Sequence, residues 1–201
     1  DLDIRGAGNL LGDEQSGHIR EVGYELYQAM LEEAVANLKN GEEEYEDRNE
    51  WSPQISLGMP VMIPESYVPD LQLRMQLYRK LGDLDDIRDI DATGAELIDR
   101  FGPLPEEVEA LLKIILVKAL CRQANVEKVD AGPKGAVITL RNNEFPNPAG
   151  LVRMVADLSN QVRLKPDQKL VFVRNWPTAE QRLKGVAAIM TKLAKLAESA
   201  T

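Results

Sequence analysis

Val126-Glu127-Lys128-Val129-Asp130-Ala131-Gly132-Pro133-Lys134-Gly135-Ala136-Val137-Ile138-Thr139-Leu140 is where the chain changes character. Two short runs, Val126 to Ala131 and Ala136 to Leu140, flank Gly132-Pro133-Lys134-Gly135. Glycine and proline at such a junction supply a turn, so the stretch predicts a β-hairpin. A second hairpin is expected from Val162 to Leu164 and Lys169 to Arg174, across Pro166-Asp167. A short helix, Leu151 to Leu158, is expected between them. Thr178 is placed to cap a last helix that turns Leu183, Val186, Met190, Leu193 and Ala197 inward.

Upstream of the hairpins the periodicity is helical. Pro105 opens a long helix, with Glu106, Glu107 and Glu109 set against its dipole. Its expected buried stripe is Val108, Leu111, Leu112, Ile115, Ala119 and Leu120. A shorter helix before it carries Ala95, Leu97, Ile98 and Phe101 and stops at Gly102-Pro103. Another starts near Pro69, places Leu71, Met75, Tyr78 and Leu81 together, and ends at Gly82. Ile55, Leu57, Val61 and Ile63 alternate like a strand interrupted by Gly58 and Pro60. Ile19 to Lys39 reads as one long amphipathic helix stopped by Asn40-Gly41. Helices first, then strand pairs with interleaved helices, define an α+β fold. The pattern leaves the strand order open.

Composition sets the frame. The chain has 201 residues, is 44% hydrophobic and 28% charged, and carries a net charge of -9. That acidic balance argues against autonomous DNA binding, which needs cations to neutralise phosphates. The densest acidic run, Glu42-Glu43-Glu44 with Glu46, Asp47 and Glu50, reads as a solvated linker. It also suits a basic partner surface. One cysteine and one histidine cannot supply an ordinary zinc site, so no metal is expected. Cys121 reads as a quiet, part-buried thiol on a helix, and His18 as a surface or capping residue. Tyr67, Tyr78, Trp51 and Trp176 read as core or interface, because no basic residues interleave with them. No apolar run reaches membrane-spanning length, and a cytoplasmic setting is expected.

The first seventeen residues, Asp1-Leu2-Asp3-Ile4-Arg5-Gly6-Ala7-Gly8-Asn9-Leu10-Leu11-Gly12-Asp13-Glu14-Gln15-Ser16-Gly17, contain four glycines around an apolar pair. A loop this rich in glycine expects something packed against it. Because nothing precedes it in the chain, the reading is a fragment of a larger protein. Gly6, Gly8 and Gly12 do not have the dinucleotide-fingerprint spacing, and no G-x-x-x-x-G-K-[ST] occurs anywhere. Arg5 on its own is a phosphate ligand, an ion-pair partner or a loop charge.

This stretch resembles the segment after the last helicase motif in bacterial transcription-repair coupling factors and the related RecG, roughly D-L-E-I-R-G-x-G-x-L-L-G-x-x-Q-S-G. Asp3 stands where the family has Glu. Leu73 to Leu81 is similar to the family's R-L-x-L-Y-x-x-L helix, with Met75 where Leu is usual. Asp99-Arg100-Phe101-Gly102-Pro103-Leu104-Pro105 is similar to its D-R-F-G-x-L-P link. These last two motifs belong to a C-terminal domain that RecG lacks.

The resemblance implies a tail of the second motor lobe over residues 1–45 and a C-terminal regulatory domain over 46–201. It maps two translocation-coupling side chains onto Arg5 and Gln15. It implies no catalytic residue and no cofactor in this fragment. The longer parent would be a helicase-like, ATP-binding DNA translocase and hydrolase using ATP and magnesium. That parent would bind duplex DNA, displace stalled RNA polymerase and recruit UvrA for nucleotide excision repair. The C-terminal domain would be autoinhibitory, docking on the N-terminal UvrA-binding module of the same protein, in a monomer without membrane contact. The rival reading is an auxiliary DNA-gripping domain, with Arg141, Arg153, Arg163, Lys165 and Lys169 gathered in space.

Overall fold

The structure, a computed structural model, describes residues 51–59 and 61–199. They hold five α-helices and one five-stranded mixed sheet, an α+β arrangement. The described residues fall into two compact units, 61–84 with 88–112, and 51–59 with 85–87 and 113–199. The glycine-rich start, the stretch Ile19 to Lys39, the acidic run and both Arg5 and Gln15 lie outside the described residues.

The first unit is helical. Helix α1 spans Leu71–Gly82 and α2 spans Ile87–Phe101. Helix α3 spans Glu106–Gln123, its first residues in this unit and the rest in the second. Asp70 caps α1 by accepting a 3.0 Å bond from the Gln72 N–H. Met75, Tyr78 and Leu81 are buried as the periodicity predicts, joined by Leu77 and Arg74. Leu71 is the exception: it lies in the first turn and is 52% exposed.

Helix α2 is longer than expected. Its buried residues are Ile90, Thr93, Gly94 and Leu97, while Ala95 and Ile98 face outward. Thr93 can be buried because its hydroxyl donates to the Asp89 carbonyl at 2.7 Å. At Gly94 a Cβ would stand 3.4 Å from Leu112 Cδ1, in ordinary contact with it. Small and self-satisfied residues thus replace the larger apolar ones that a simple stripe would bury.

Helix α3 shows a similar departure. Val108, Leu111, Ile115, Ala119 and Leu120 are buried as expected, but so are Val117 and Cys121 on other faces. No residue from Ala110 to Arg122 is exposed. The helix is thus covered nearly all round, with Lys113, Lys118 and Arg122 half-buried along it.

The second unit carries the sheet, in the order β1-β2-β3-β5-β4. Its strands are β1 Gln54–Ser56, β2 Val126–Gly132, β3 Gly135–Leu140, β4 Val162–Leu164 and β5 Leu170–Val173. Both predicted hairpins are present, with Gly132 opposite Gly135 and Leu164 opposite Leu170. The strand expected through Ile63 is shorter. It ends at Ser56 and pairs parallel with β2, placing Ile55 opposite Val129.

One sheet face forms the core. Val129, Ile138 and Leu170 are fully buried, with Ala136, Phe172 and Val162 at 3% exposure or less. Helix α4, Pro148–Asp157, packs on β4, and helix α5, Ala179–Glu198, packs on β2 and α4. Thr178 and Gln181 close a reciprocal capping box at the start of α5. All five predicted inward residues of α5 are buried. The opposite sheet face, including Lys128, Val137, Val171, Val173 and Arg163, is half-buried or exposed. The antiparallel strands β2 to β5 tolerate that because one face suffices for the core.

Candidate functional site

Helix α1 and the Asp99–Pro105 link, the two sequence motifs, are placed in the first unit. Arg74 on α1 is 5% exposed. Its Nη1 donates to the Val68 carbonyl at 2.7 Å and to the Pro69 carbonyl at 3.0 Å. Tyr78, one turn further along, accepts the Ile63 N–H at 2.7 Å. The loop before α1 is therefore fixed from inside by two α1 side chains.

The link is fixed in a comparable way. The Tyr67 hydroxyl lies within donor range of the Leu97 carbonyl at 3.0 Å and the Gly102 carbonyl at 2.8 Å. Burial raises the Tyr67 hydroxyl above its ordinary pKa, which keeps the donor protonated. Its ring meets the Phe101 ring with centroids 5.7 Å apart, and the Arg100 guanidinium lies 5.1 Å from the Phe101 ring centroid. Gly102 has φ +95, a conformation other residues rarely adopt. The motif residues hold loops and helix ends in place, and none of these bonds points to a reacting substrate.

Cys121 is fully buried on α3, and burial pushes its thiol up to about 12. The reactive species is the thiolate, so this cysteine is inert in the folded chain. Thiol-specific reagent at pH 8 is expected to label it only at the rate of unfolding. Labelling of native protein as fast as denatured protein would contradict the burial. The linked stability has a definite sign. An ordinary thiol of pKa 9.0 ionises in the unfolded chain while the folded one stays protonated. Stability is therefore full below pH 9 and falls as pH rises toward about 12.

The cations of the rival reading are only partly brought together. Arg163, Lys165 and Lys169 share the β4–β5 hairpin and are exposed. Arg153 is exposed on α4. Arg141 is engaged elsewhere, with its guanidinium 5.1 Å from the Trp51 ring centroid. Charge is also unevenly divided, a feature the total conceals. Residues 126–201 hold twelve lysines and arginines against seven acidic residues, a net +5; the first 125 residues carry -14. Counting charge by segment finds this in the sequence. Among the described residues no group of three or more His, Cys, Asp or Glu is placed to hold a metal ion. No helix among them is long and apolar enough to cross a membrane.

This fold has a known counterpart, and the sequence has known relatives. Residues 57–151 match the TRCF domain. The transcription-repair-coupling factor of Rickettsia typhi is 45% identical over 174 residues, covering 87% of this chain and 15% of that protein. The Escherichia coli K12 factor is 33% identical over 194 residues, covering 96% of this chain and 17% of that protein. The crystal structure of the C-terminal domain of transcription-repair coupling factor shares the fold. It has a TM-score of 0.63 at 23% identity, over 74% of this chain and 96% of that one. Over the stretch it spans, the chain belongs to the transcription-repair-coupling factors and contains their C-terminal domain. It spans only about one sixth of the length of these curated relatives.

Proposed function

We propose that this chain is the regulatory, non-catalytic end of an ATP-dependent DNA translocase that couples transcription to nucleotide excision repair. Residues 1–45 finish its motor lobe, and residues 46–201 form the regulatory domain. The supporting observation is that the signature residues Arg74, Tyr78, Phe101 and Gly102 serve internal architecture. What they maintain is a folded surface, and a maintained surface serves recognition. In this reading the domain docks on the N-terminal module of the same protein and covers its UvrA-binding face. Arg5 and Gln15 couple hydrolysis to movement. ATP and magnesium are held by the preceding part of the protein, which engages duplex DNA and RNA polymerase in the cytoplasm.

Deleting the parent protein from Glu46 onward is expected to raise its UvrA affinity. Tethering gives a high effective concentration, so a modest contact suffices as a mask. The gain equals the coupling free energy, typically about 5–150-fold. UvrA binding measured for intact and truncated parent at one salt concentration tests this, and equal affinities reject the mask. The second reading, DNA gripping, is favoured by one observation: the exposed cations of the β4–β5 hairpin in a segment of net +5. Loss of duplex binding on the same truncation would select it.

A further inference from the structure

The β4 edge of the sheet has an unused backbone site. Strand β4 is the outermost strand beyond β5. Val173 N–H donates to Gln161 at 2.7 Å, and Lys165 N–H donates to Lys169 at 2.9 Å. Arg163 lies opposite Val171 midway between these pairs. Antiparallel ladders alternate between bonded and non-bonded pairs. The backbone groups of Val162 and Leu164 are therefore directed away from β5. Val162 N–H is satisfied by the Leu158 carbonyl at 2.9 Å. Leu164 keeps an outward N–H and C=O at the open edge.

The side chains around this edge define what fits it. Leu164 is 42% exposed, and Val152 on the adjacent α4 is 63% exposed. Arg163, Lys165 and Lys169 lie at alternate positions of the two strands, so they share the open sheet face. None of the three makes a side-chain hydrogen bond or ion pair among the described residues. The hairpin's own carboxylate, Asp167, accepts the Lys169 backbone N–H at 3.2 Å.

We infer that the β4 edge takes an extended acidic segment by strand addition: the Leu164 backbone pairs it, Leu164 and Val152 contact its apolar side chains, and Arg163, Lys165 and Lys169 meet its carboxylates. Edge strands usually protect themselves with charge. Here the charge has one sign, which rejects neutral and basic strands and admits an acidic one. Backbone pairing supplies affinity and the side chains supply choice. This inference goes beyond the masking role and does not require it.

The test uses the full 201-residue chain and a capped heptapeptide alternating valine and glutamate. Binding is followed by NMR, with amide exchange read at Leu164. Expected results are slower exchange at Leu164 and loss of binding when alternate peptide nitrogens are methylated. Arg163→Glu with Lys165→Glu is expected to weaken binding at least about tenfold, the equivalent of roughly 1.4 kcal/mol. Leu164→Pro removes the outward N–H while leaving the bonds to β5, and is expected to weaken binding comparably. The N-methylated peptide needs no variant, so the test survives if a substitution unfolds the chain. No binding overturns the inference. Binding insensitive to methylation, with Leu164 exchange unchanged, also overturns it in favour of surface charge alone. Duplex DNA binding that the charge variant abolishes and Leu164→Pro spares overturns it in favour of phosphate recognition.

Discussion

Gly135→Ala is expected to destabilise the sheet unit by on the order of 4 kcal/mol, combining backbone strain of about 1–3 with overpacking of about 1–3. Gly135 sits at φ +133, at the point where β3 begins against β5. An added Cβ would fall on the Phe172 carbonyl oxygen, with the Arg174 nitrogen 2.9 Å away. Both obstacles are backbone, so neither can swing aside. The pairing of Gly135 with Val173 and of Ala136 with Phe172 would have to open. Both tryptophans of the chain, Trp51 and Trp176, lie in this unit. Tryptophan fluorescence during denaturant unfolding therefore reports it directly. Gly132→Ala is the control, since a Cβ there meets nothing within 4 Å. It is expected to change stability by less than about 0.5 kcal/mol. Equal midpoints for the two variants would refute the close approach.

Arg74→Met is expected to cost the helical unit about 2–3 kcal/mol. Methionine retains the volume but leaves the Val68 and Pro69 carbonyls without their donor. Val68 is fully buried, so its carbonyl has no ready access to water. An orphaned buried acceptor costs about 1–3 kcal/mol, and bonds from a charged donor lie at the upper end. Arg74→Lys is expected to recover only part of this, because an ammonium lacks the planar fork. Tryptophan is absent from the described residues of this unit, so amide exchange along α1 is the suitable readout. Unchanged protection from Met75 to Leu81 in Arg74→Met would refute the lock.

Local signals in the sequence were dependable wherever the cause was local. Gly132-Pro133-Lys134-Gly135 specifies its own turn, and Thr178 specifies its own cap; both hairpins and α5 follow. The errors arose where a neighbour decides. Periodicity identifies apolar faces but not what covers them. It therefore set Leu71 on the same face as the buried Met75, Tyr78 and Leu81, and it gave α3 one buried stripe where nearly the whole circumference is covered. The placement of β1 beside β2 depends on residues far apart in sequence and had no local marker. Arg74 was legible only as a motif letter, because charge on a helix ordinarily means solvent. Arg5 and Gln15, the pair proposed for translocation coupling, lie outside the described residues. The basic hairpin was legible as residues, but the total charge of -9 hid the sign of its segment.

The parallel pairing of β1 has a consequence for biosynthesis. Ser56 pairs with Asp130, seventy-four positions later. At ribosomal rates of about 5–20 residues per second, β1 waits roughly 4–15 s for its partner. During that interval the helical segment between them is made. The strand that begins the sheet is thus made long before any partner exists for it. A recombinant boundary at residue 57, where the TRCF domain match begins, would omit β1 and leave the β2 edge open. Such an edge is a template for pairing between molecules. Production of this domain alone should therefore start upstream of Gln54.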